Sequence, residues 1–328
     1  MMTKRVKQIV KFSAKLIVTV ALLLWVFDRI ELGQLGQIIK NAQWKFLWIV
    51  WALTVLSCWI LSVKMRIIFK KQNCDVPTGV LFASTAITTL YGLVLPGMLD
   101  TPVKWYILKR YTGRGSNVFS CMAYNQFTLL LVIIVSALVA LIVTNPTGNW
   151  KLPAICSALL ILSVVGCVSL LSKAVGQKLA ACISSILKPF PASIRNTANK
   201  ILQQLSVFRT ARWSFHFEML LLSFVGSIIV GTIVYIYAAK AARISVPIGV
   251  LIWQCAVIFL LGRMPISIAN LGVREATLVG TLALYGIDAP SALLLSMIIF
   301  SNKILMAAVG AVFQLYWMTR TPQRNAQA

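Results

Sequence analysis

Long apolar stretches alternate along the chain with short polar or basic segments. A helix needs about 20 mostly apolar residues to cross the hydrocarbon core of a bilayer. This pattern predicts six membrane-spanning helices, at about 12–27, 44–63, 118–143, 152–172, 216–239 and 290–317. We therefore expect an all-α polytopic membrane protein whose residues 1–328 form a single membrane domain.

Two further apolar stretches, 77–113 and 247–286, are interrupted by proline and glycine. The interruptions contain Pro96, Gly97, Pro265, Asn270 and Gly272. Each stretch lies between two spans that face the same side of the membrane, so each is predicted to be a re-entrant hairpin: a helix, a break and a short second helix. We expect the second helices to begin near Pro102 and Val273. Two tightly packed spans, or a helix pair on the membrane surface, are the alternatives.

The two interrupted stretches resemble each other in sequence. Residues 77–81 and 247–251 share the pattern P-x-G-V-L at a separation of 170 residues. Interrupted apolar segments at matching positions in two halves of a chain are typical of inverted-repeat transporters, whose binding site lies where the broken helices meet. The sequence thus predicts one repeat at about 44–143 and an inverted copy at about 216–317.

Composition supports the membrane assignment, since 59% of the residues are hydrophobic and the mean hydropathy is +0.86. The 31 Lys and Arg residues against 7 Asp and Glu give a net charge of +24, which in a soluble protein would suggest nucleic acid. Most of the basic residues instead fall in segments that the predicted topology places on one side. These segments include Lys64, Arg66, Lys70 and Lys71 at the end of the second span. The positive-inside rule then places both termini in the cytoplasm.

The loop 173–215 carries seven basic residues without an acid. Several of its apolar residues fall on one helical face, which is typical of an amphipathic helix lying on an anionic inner leaflet. A solvated basic loop that only sets the topology is the alternative.

Ionisable residues at membrane depth are costly and are therefore candidate site residues. The set consists of Asp100, Lys104, Arg263, Arg274, Glu275 and Lys303. Lys104 lies four residues after Asp100, a helical spacing at which the two side chains can pair. Backbone amides freed at the breaks, and helix N-termini just after them, suit anionic groups such as phosphate.

One hypothesis connects these residues. If the hairpins pack against the last span, Lys303 pairs with Glu275, which leaves Arg274 and Arg263 to bind a ligand phosphate through parallel hydrogen bonds. In the alternative, Asp100, Glu275 and Lys303 only neutralise one another and hold the bundle together.

Signatures of enzymes and of cofactor sites are missing from the sequence. It has no G-x-S-x-G, no Walker A run and no H-E-x-x-H, and its seven cysteines are scattered without a C-x-x-C pair. We therefore expect no metal and no cofactor, and a transporter rather than an enzyme. The apolar run Leu16–Phe27 lacks a small-x-small cleavage site and is interpreted as an uncleaved first span.

Two motifs resemble the lysylphosphatidylglycerol-synthase transmembrane family, whose members are also described as flippase-like. The first motif is Leu95-Pro96-Gly97-Met98-Leu99-Asp100 with Lys104, and the second runs from Met264 through Asn270-Leu271-Gly272-Val273-Arg274-Glu275 to Ala276. The family usually has Gly before the first acid and Arg three residues after it. Here Leu99 precedes Asp100, and the basic residue is Lys104, one position later.

The resemblance implies a function for the chain. In bifunctional members of the family the membrane part moves an aminoacylated phospholipid between leaflets, while a separate C-terminal domain synthesises it. This chain stops about eleven residues after its last predicted span, so we expect the translocating part without the synthase domain. Other relatives are associated with polyprenyl-linked sugars and envelope glycoconjugates.

Three hypotheses follow. The first is a flippase of the bacterial inner membrane that moves an anionic phospholipid or a lipid-linked sugar between the two hairpins. The second is a membrane-embedded transferase with a lipid-linked donor and Asp100 or Glu275 as general base. The third is a non-catalytic partner of a glycosyltransferase or another envelope-biosynthesis enzyme. Nucleic acid is not an expected partner in any of them.

Overall fold

The computed structural model of the chain describes residues 32–94, 100–146, 148–171, 207–208, 210–262 and 271–320. All regular secondary structure in these ranges is helical. The helices are α1 (Leu32–Asn41), α2 (Lys45–Lys71), α3 (Thr78–Val94), α4 (Asp100–Thr112), α5 (Gly115–Thr144), α6 (Lys151–Leu171), α7 (Trp213–Ser223), α8 (Val230–Ala241), α9 (Ile248–Leu261), α10 (Val273–Ala283) and α11 (Ala289–Arg320). A six-residue π-helical segment, Phe224–Ile229, joins α7 to α8.

Four helices in the described ranges are long and apolar enough to cross a membrane. They are Lys45–Lys71, Gly115–Thr144, Trp213–Ala241 and Ala289–Met318. Each has 27 to 30 residues and so reaches about 40 Å, more than the roughly 30 Å of hydrocarbon core. They lie where four of the six spans were expected, and α6 covers most of the predicted span 152–172. The predicted span 12–27 lies outside the described residues.

Apolar side chains also cover the outer surfaces of these helices. Trp48, Val143, Leu162 and Leu315 are each more than 60% exposed. In water such a surface would favour aggregation, whereas in a bilayer it faces lipid. The exposed apolar surface and the helix lengths together support an α-helical multi-pass membrane protein.

Two pairs of shorter helices lie where the interrupted apolar stretches were expected. The first pair is α3 and α4, and the second pair is α9 and α10. The second helices begin at Asp100 and Val273, close to the starts predicted from the proline and glycine positions. The intervening residues 95–99 and 263–270 lie outside the described part of the chain, so the re-entrant path remains a prediction.

The same turn precedes both helix pairs, 170 residues apart. Asn73 and Arg243 adopt the left-handed conformation, with φ of 52° and 57°. The N–H group of residue 74 donates to the carbonyl of residue 69, and that of residue 244 donates to residue 239, each at 3.0 Å. This is the Schellman arrangement, which satisfies carbonyls at a helix C-terminus. The next helix then starts alike, because Val80 and Val250 each donate at 3.0 Å to the proline carbonyl three residues before.

The chain divides into two compact units. The first unit comprises Met1–Leu56, Ala83–Lys104 and Val230–Ala328, and the second comprises Ser57–Phe82 and Trp105–Ile229. The core of the first unit is formed by apolar side chains of α2, α8, α9, α10 and α11, such as Leu251 and Leu294. The core of the second contains Phe69, Leu108 and Met219. Each unit therefore has an apolar interior of its own.

The basic loop predicted at 173–215 lies outside the described residues except near its end, so the amphipathic helix also remains a prediction. Phe208, in the described part, is buried and stacks on Tyr124 with ring centroids 4.3 Å apart. The hydroxyl group of Tyr124 lies 2.7 Å from Nδ1 of His216, which is also buried. His216 was expected at the membrane interface, but the structure places it in this aromatic cluster.

Candidate functional site

The start of α10 holds a charged pair that also caps the helix. Gly272 precedes the helix with φ of 79°, a conformation that glycine adopts without steric cost. Its N–H group donates to Oε2 of Glu275 at 2.7 Å. The carboxylate thus satisfies an amide that the helix leaves unpaired, and its negative charge lies at the positive end of the helix dipole.

Arg274, the neighbouring residue, is held by three groups. Its Nη2 donates to Oε1 of Glu275, forming an ion pair. Its Nε donates to Oγ of Ser296 at 2.7 Å, and its guanidinium lies 4.6 Å from the ring centre of Phe300. Ser296 and Phe300 are four residues apart and so share a face of α11. The hydroxyl group of Ser296 also donates to Oε1 of Glu275, at 3.1 Å.

Both charged side chains are almost completely buried, with Arg274 2% and Glu275 4% exposed. Nη1 of Arg274 is buried and has no hydrogen-bond partner among the described residues. A buried charged donor without a partner costs at least about 1–3 kcal/mol. The site therefore offers one fixed guanidinium donor to an acceptor such as a phosphate or carboxylate oxygen.

The first helix pair contains a different polar contact. Nζ of Lys104, on α4, donates to Oγ1 of Thr85 on α3 at 2.8 Å. This bond joins the two helices of the pair. Asp100 is the first residue of α4, and its side chain lies outside the description. The expected pairing of Asp100 with Lys104 therefore remains a prediction.

Helix α11 contacts both pairs within the first unit. Its N-terminal half contacts Arg274 through Ser296 and Phe300. Its C-terminal half approaches α3 at Gly310, where an added Cβ would meet the carbonyl of Ala86 and lie 2.8 Å from the backbone nitrogen of Ile87. Glycine permits this close approach of two helices. The helix that carries Lys303 therefore runs between the two contacts.

We compared the chain with known protein families and known proteins. The family model for the lysylphosphatidylglycerol synthase TM region matches residues 12–320. The chain belongs to this family. No curated protein and no solved structure matches the chain significantly. Membership confirms the resemblance that the two motifs indicated, and it agrees with the long apolar helices of a multi-pass membrane protein.

Within this family member, the expected partner of Glu275 was wrong. The hypothesis paired Glu275 with Lys303 and left Arg274 to a ligand. In the structure Glu275 is bonded to Arg274 itself, because the two side chains are adjacent at the start of α10 and meet over Ser296. Only part of the guanidinium therefore remains available to a ligand in this conformation.

Other predicted site residues differ in how far the structure describes them. Lys303 is half-buried on α11, next to Asn302, whose Oδ1 is buried without a partner among the described residues. Five predicted residues lie outside the described part of the chain: Pro96, Gly97, Arg263, Pro265 and Asn270. Their assignment to the site remains a prediction.

Sequence reasoning missed several residues that contact the candidate site. Ser296, Phe300 and Thr85 are common residue types in apolar helices, so only their three-dimensional contacts single them out. Lys64 was assigned to an exposed cytoplasmic end of the second span, but its side chain is fully buried. The signal was the helix length, because α2 continues to Lys71, eight residues beyond the predicted end.

Proposed function

We propose that the protein translocates an anionic phospholipid or a lipid-linked sugar across the bacterial inner membrane. The headgroup would pass between the two helix pairs while the lipid tails stay in the bilayer. The observation that carries this proposal is the buried guanidinium of Arg274, which keeps an unpartnered N–H donor among the described residues. Ionisable groups at membrane depth mark substrate pathways in transporters.

The contacts of Arg274 suit the binding and release of a phosphate. Ser296 and Phe300 fix the guanidinium through Nε and the ring face, which leaves the two terminal nitrogens directed elsewhere. Nη1 would bind a phosphate oxygen first, and Nη2 would exchange Glu275 for a second oxygen, giving the bidentate geometry that arginine prefers. Glu275 would then be released to accept from an amine or a sugar hydroxyl of the headgroup.

The remaining predicted residues have supporting roles in this proposal. Arg263 and Lys104 would bind the phosphate along its path, and Lys303 would balance the charge of Glu275 once Arg274 is occupied. Asp100 would face headgroup amines or hydroxyls, or carry a coupling proton. The breaks at 95–102 and 263–273 would line the cavity, since freed backbone groups cannot face lipid.

The proposed architecture is one membrane domain with six spans, two re-entrant pairs and cytoplasmic termini, in which 44–143 and 216–317 form an inverted repeat. Two observations support it: the turns around Asn73 and Arg243 have the same hydrogen bonds at a separation of 170 residues, and each repeat has the helix order long, short, short, long. Repeats of this kind are common in transporters that alternate access around a central site.

Translocation in proteoliposomes tests the function. Vesicles would contain a headgroup-labelled anionic phospholipid or a labelled lipid-linked sugar, with wild type, Arg274→Ala or Arg212→Ala. Arg212 is an exposed arginine without a side-chain cap bond at the start of α7 and serves as the control. We expect translocation by wild type and Arg212→Ala only. An Arg274→Ala protein that moves lipid at the wild-type rate would overturn the site, and a folded wild type that moves neither lipid would favour the transferase or partner hypotheses.

A further inference from the structure

A second buried cation lies in the interior of the second unit. Lys64, on α2, is 0% exposed. Its Nζ donates to Oγ1 of Thr128 at 2.7 Å and to the backbone carbonyl of Asn125 at 3.3 Å. Both acceptors belong to α5.

The direction of this side chain is unusual for a lysine near the end of a span. Such a lysine normally extends its ammonium group towards the nearer interface, which here would be the end of α2 at Lys71. Side chains on a helix tilt towards its N-terminus, and Lys64 follows that tilt inward. Its acceptors, Asn125 and Thr128, lie roughly 15–20 Å along α5 from Gly115, near the middle of this 30-residue helix.

The charge of Lys64 is not balanced by the described residues. No described Asp or Glu lies within ion-pair distance of it, and the acids Asp75 and Glu218 of the same unit are exposed. An ammonium group has three donors, of which the described acceptors use two, and both acceptors are neutral. Because a buried charge without a counter-charge is strongly unfavourable, the surroundings of Lys64 favour an anion.

A neighbouring acceptor restricts what that anion can be. Oδ1 of Asn125 is buried and has no hydrogen-bond partner among the described residues. A ligand that satisfies both groups needs an anionic oxygen for the ammonium group and an O–H group for the amide oxygen. A phosphate ester with a hydroxylated substituent, such as glycerol or a sugar, has both.

We propose that Lys64, Asn125 and Thr128 form a second binding site, for a phosphate ester that carries a hydroxyl group. The ester is either a lipid headgroup or a free, water-soluble molecule. This site lies beyond the proposed function at Arg274, because none of its residues contacts that site and it needs no translocation to be occupied.

Lipid binding to the full-length protein tests the proposal. Native mass spectrometry would count lipids bound to protein in detergent micelles supplied with phosphatidylglycerol, which has hydroxyl groups, or phosphatidylethanol, which has the same charge without them. The Arg274→Ala background removes the first site from the measurement. We expect Lys64→Met to weaken phosphatidylglycerol binding by about tenfold or more, and Lys70→Met, at an exposed position of the same helix, to leave it unchanged.

The amide and the ligand source are tested in the same way. Asn125→Leu should bind the two lipids equally, since it lacks the acceptor for the hydroxyl group. Displacement of lipid by glycerol phosphate would identify the soluble ester as a ligand, and no displacement would identify the lipid. Unchanged binding in Lys64→Met overturns the proposal. If that variant does not fold, equal binding of the two lipids by the Arg274→Ala protein overturns it instead.

Discussion

The two helix pairs begin alike and are attached to α11 by different means. Each follows a Schellman turn closed by a left-handed residue, Asn73 or Arg243, and a helix started by a proline carbonyl. Beyond that point the second pair is held by charge, through Arg274, Glu275 and Ser296. The first pair is held by close backbone approach at Gly310.

This difference separates the frame from the chemistry. Turn geometry depends on backbone hydrogen bonds and tolerates different side chains, so it can persist in both copies. Buried charges require several matched partners at once. The position that aligns with Arg274 in the first motif is Leu99, so the two pairs are not equivalent in charge. The predicted chemistry of headgroup binding is therefore centred on the second pair.

Removing the acid of the second pair should have the largest effect. Glu275→Ala leaves the charge of Arg274 buried without its partner and the N–H group of Gly272 uncapped. We expect the free energy of unfolding to fall by about 3–5 kcal/mol, measured by denaturant unfolding in micelles. Glu218→Ala, at an exposed acid on α7, should stay within about 0.5 kcal/mol of wild type.

A double variant separates stability from function at the same site. Arg274→Met with Glu275→Leu replaces the ion pair by apolar side chains, which often restores or raises stability. We expect this protein to recover most of the lost stability and to remain unable to move lipid. A Glu275→Ala protein as stable as Glu218→Ala would contradict the role assigned to the pair.

The contact that holds the first pair should be the next most sensitive. Gly310→Ala places a methyl group against the backbone of Ala86 and Ile87. Overpacking of this kind costs about 1–3 kcal/mol. Gly280→Ala is the matched control, because Gly280 lies on α10 with nothing within 4 Å of its Cβ position. Alanine there should raise helix stability by up to about 1 kcal/mol, so thermal unfolding of the two variants should shift in opposite directions.

The sequence predicted the helices better than it predicted their contacts. Proline and glycine positions predicted where α4 and α10 begin, because they restrict the backbone locally. The position of Arg274 and Glu275 at a helix start was equally local. The bond to Ser296, the approach of Gly310 to Ala86 and the burial of Lys64 involve residues distant in sequence. Hydrophobic patterning gives each helix but not its neighbours, so these contacts required a structure.

The smallest expected effect tests whether the two copies share one turn. Arginine in the left-handed conformation is strained by roughly 1 kcal/mol, whereas asparagine tolerates it better. Both side chains are exposed at residues 73 and 243, so replacing them removes little packing. Glycine relieves the strain but gives the unfolded chain more freedom. We therefore expect Arg243→Gly to stabilise the protein by about 0.5–1 kcal/mol and Asn73→Gly to change it by less.

Unfolding midpoints in one detergent, with equal slopes against denaturant, would measure both changes. Stabilisation at residue 243 with little change at residue 73 fits a shared turn in which only the arginine copy is strained. Destabilisation by Arg243→Gly would mean that residue 243 is not left-handed in the membrane. The two turns would then have different geometries, and the main structural support for a repeat separated by 170 residues would be lost.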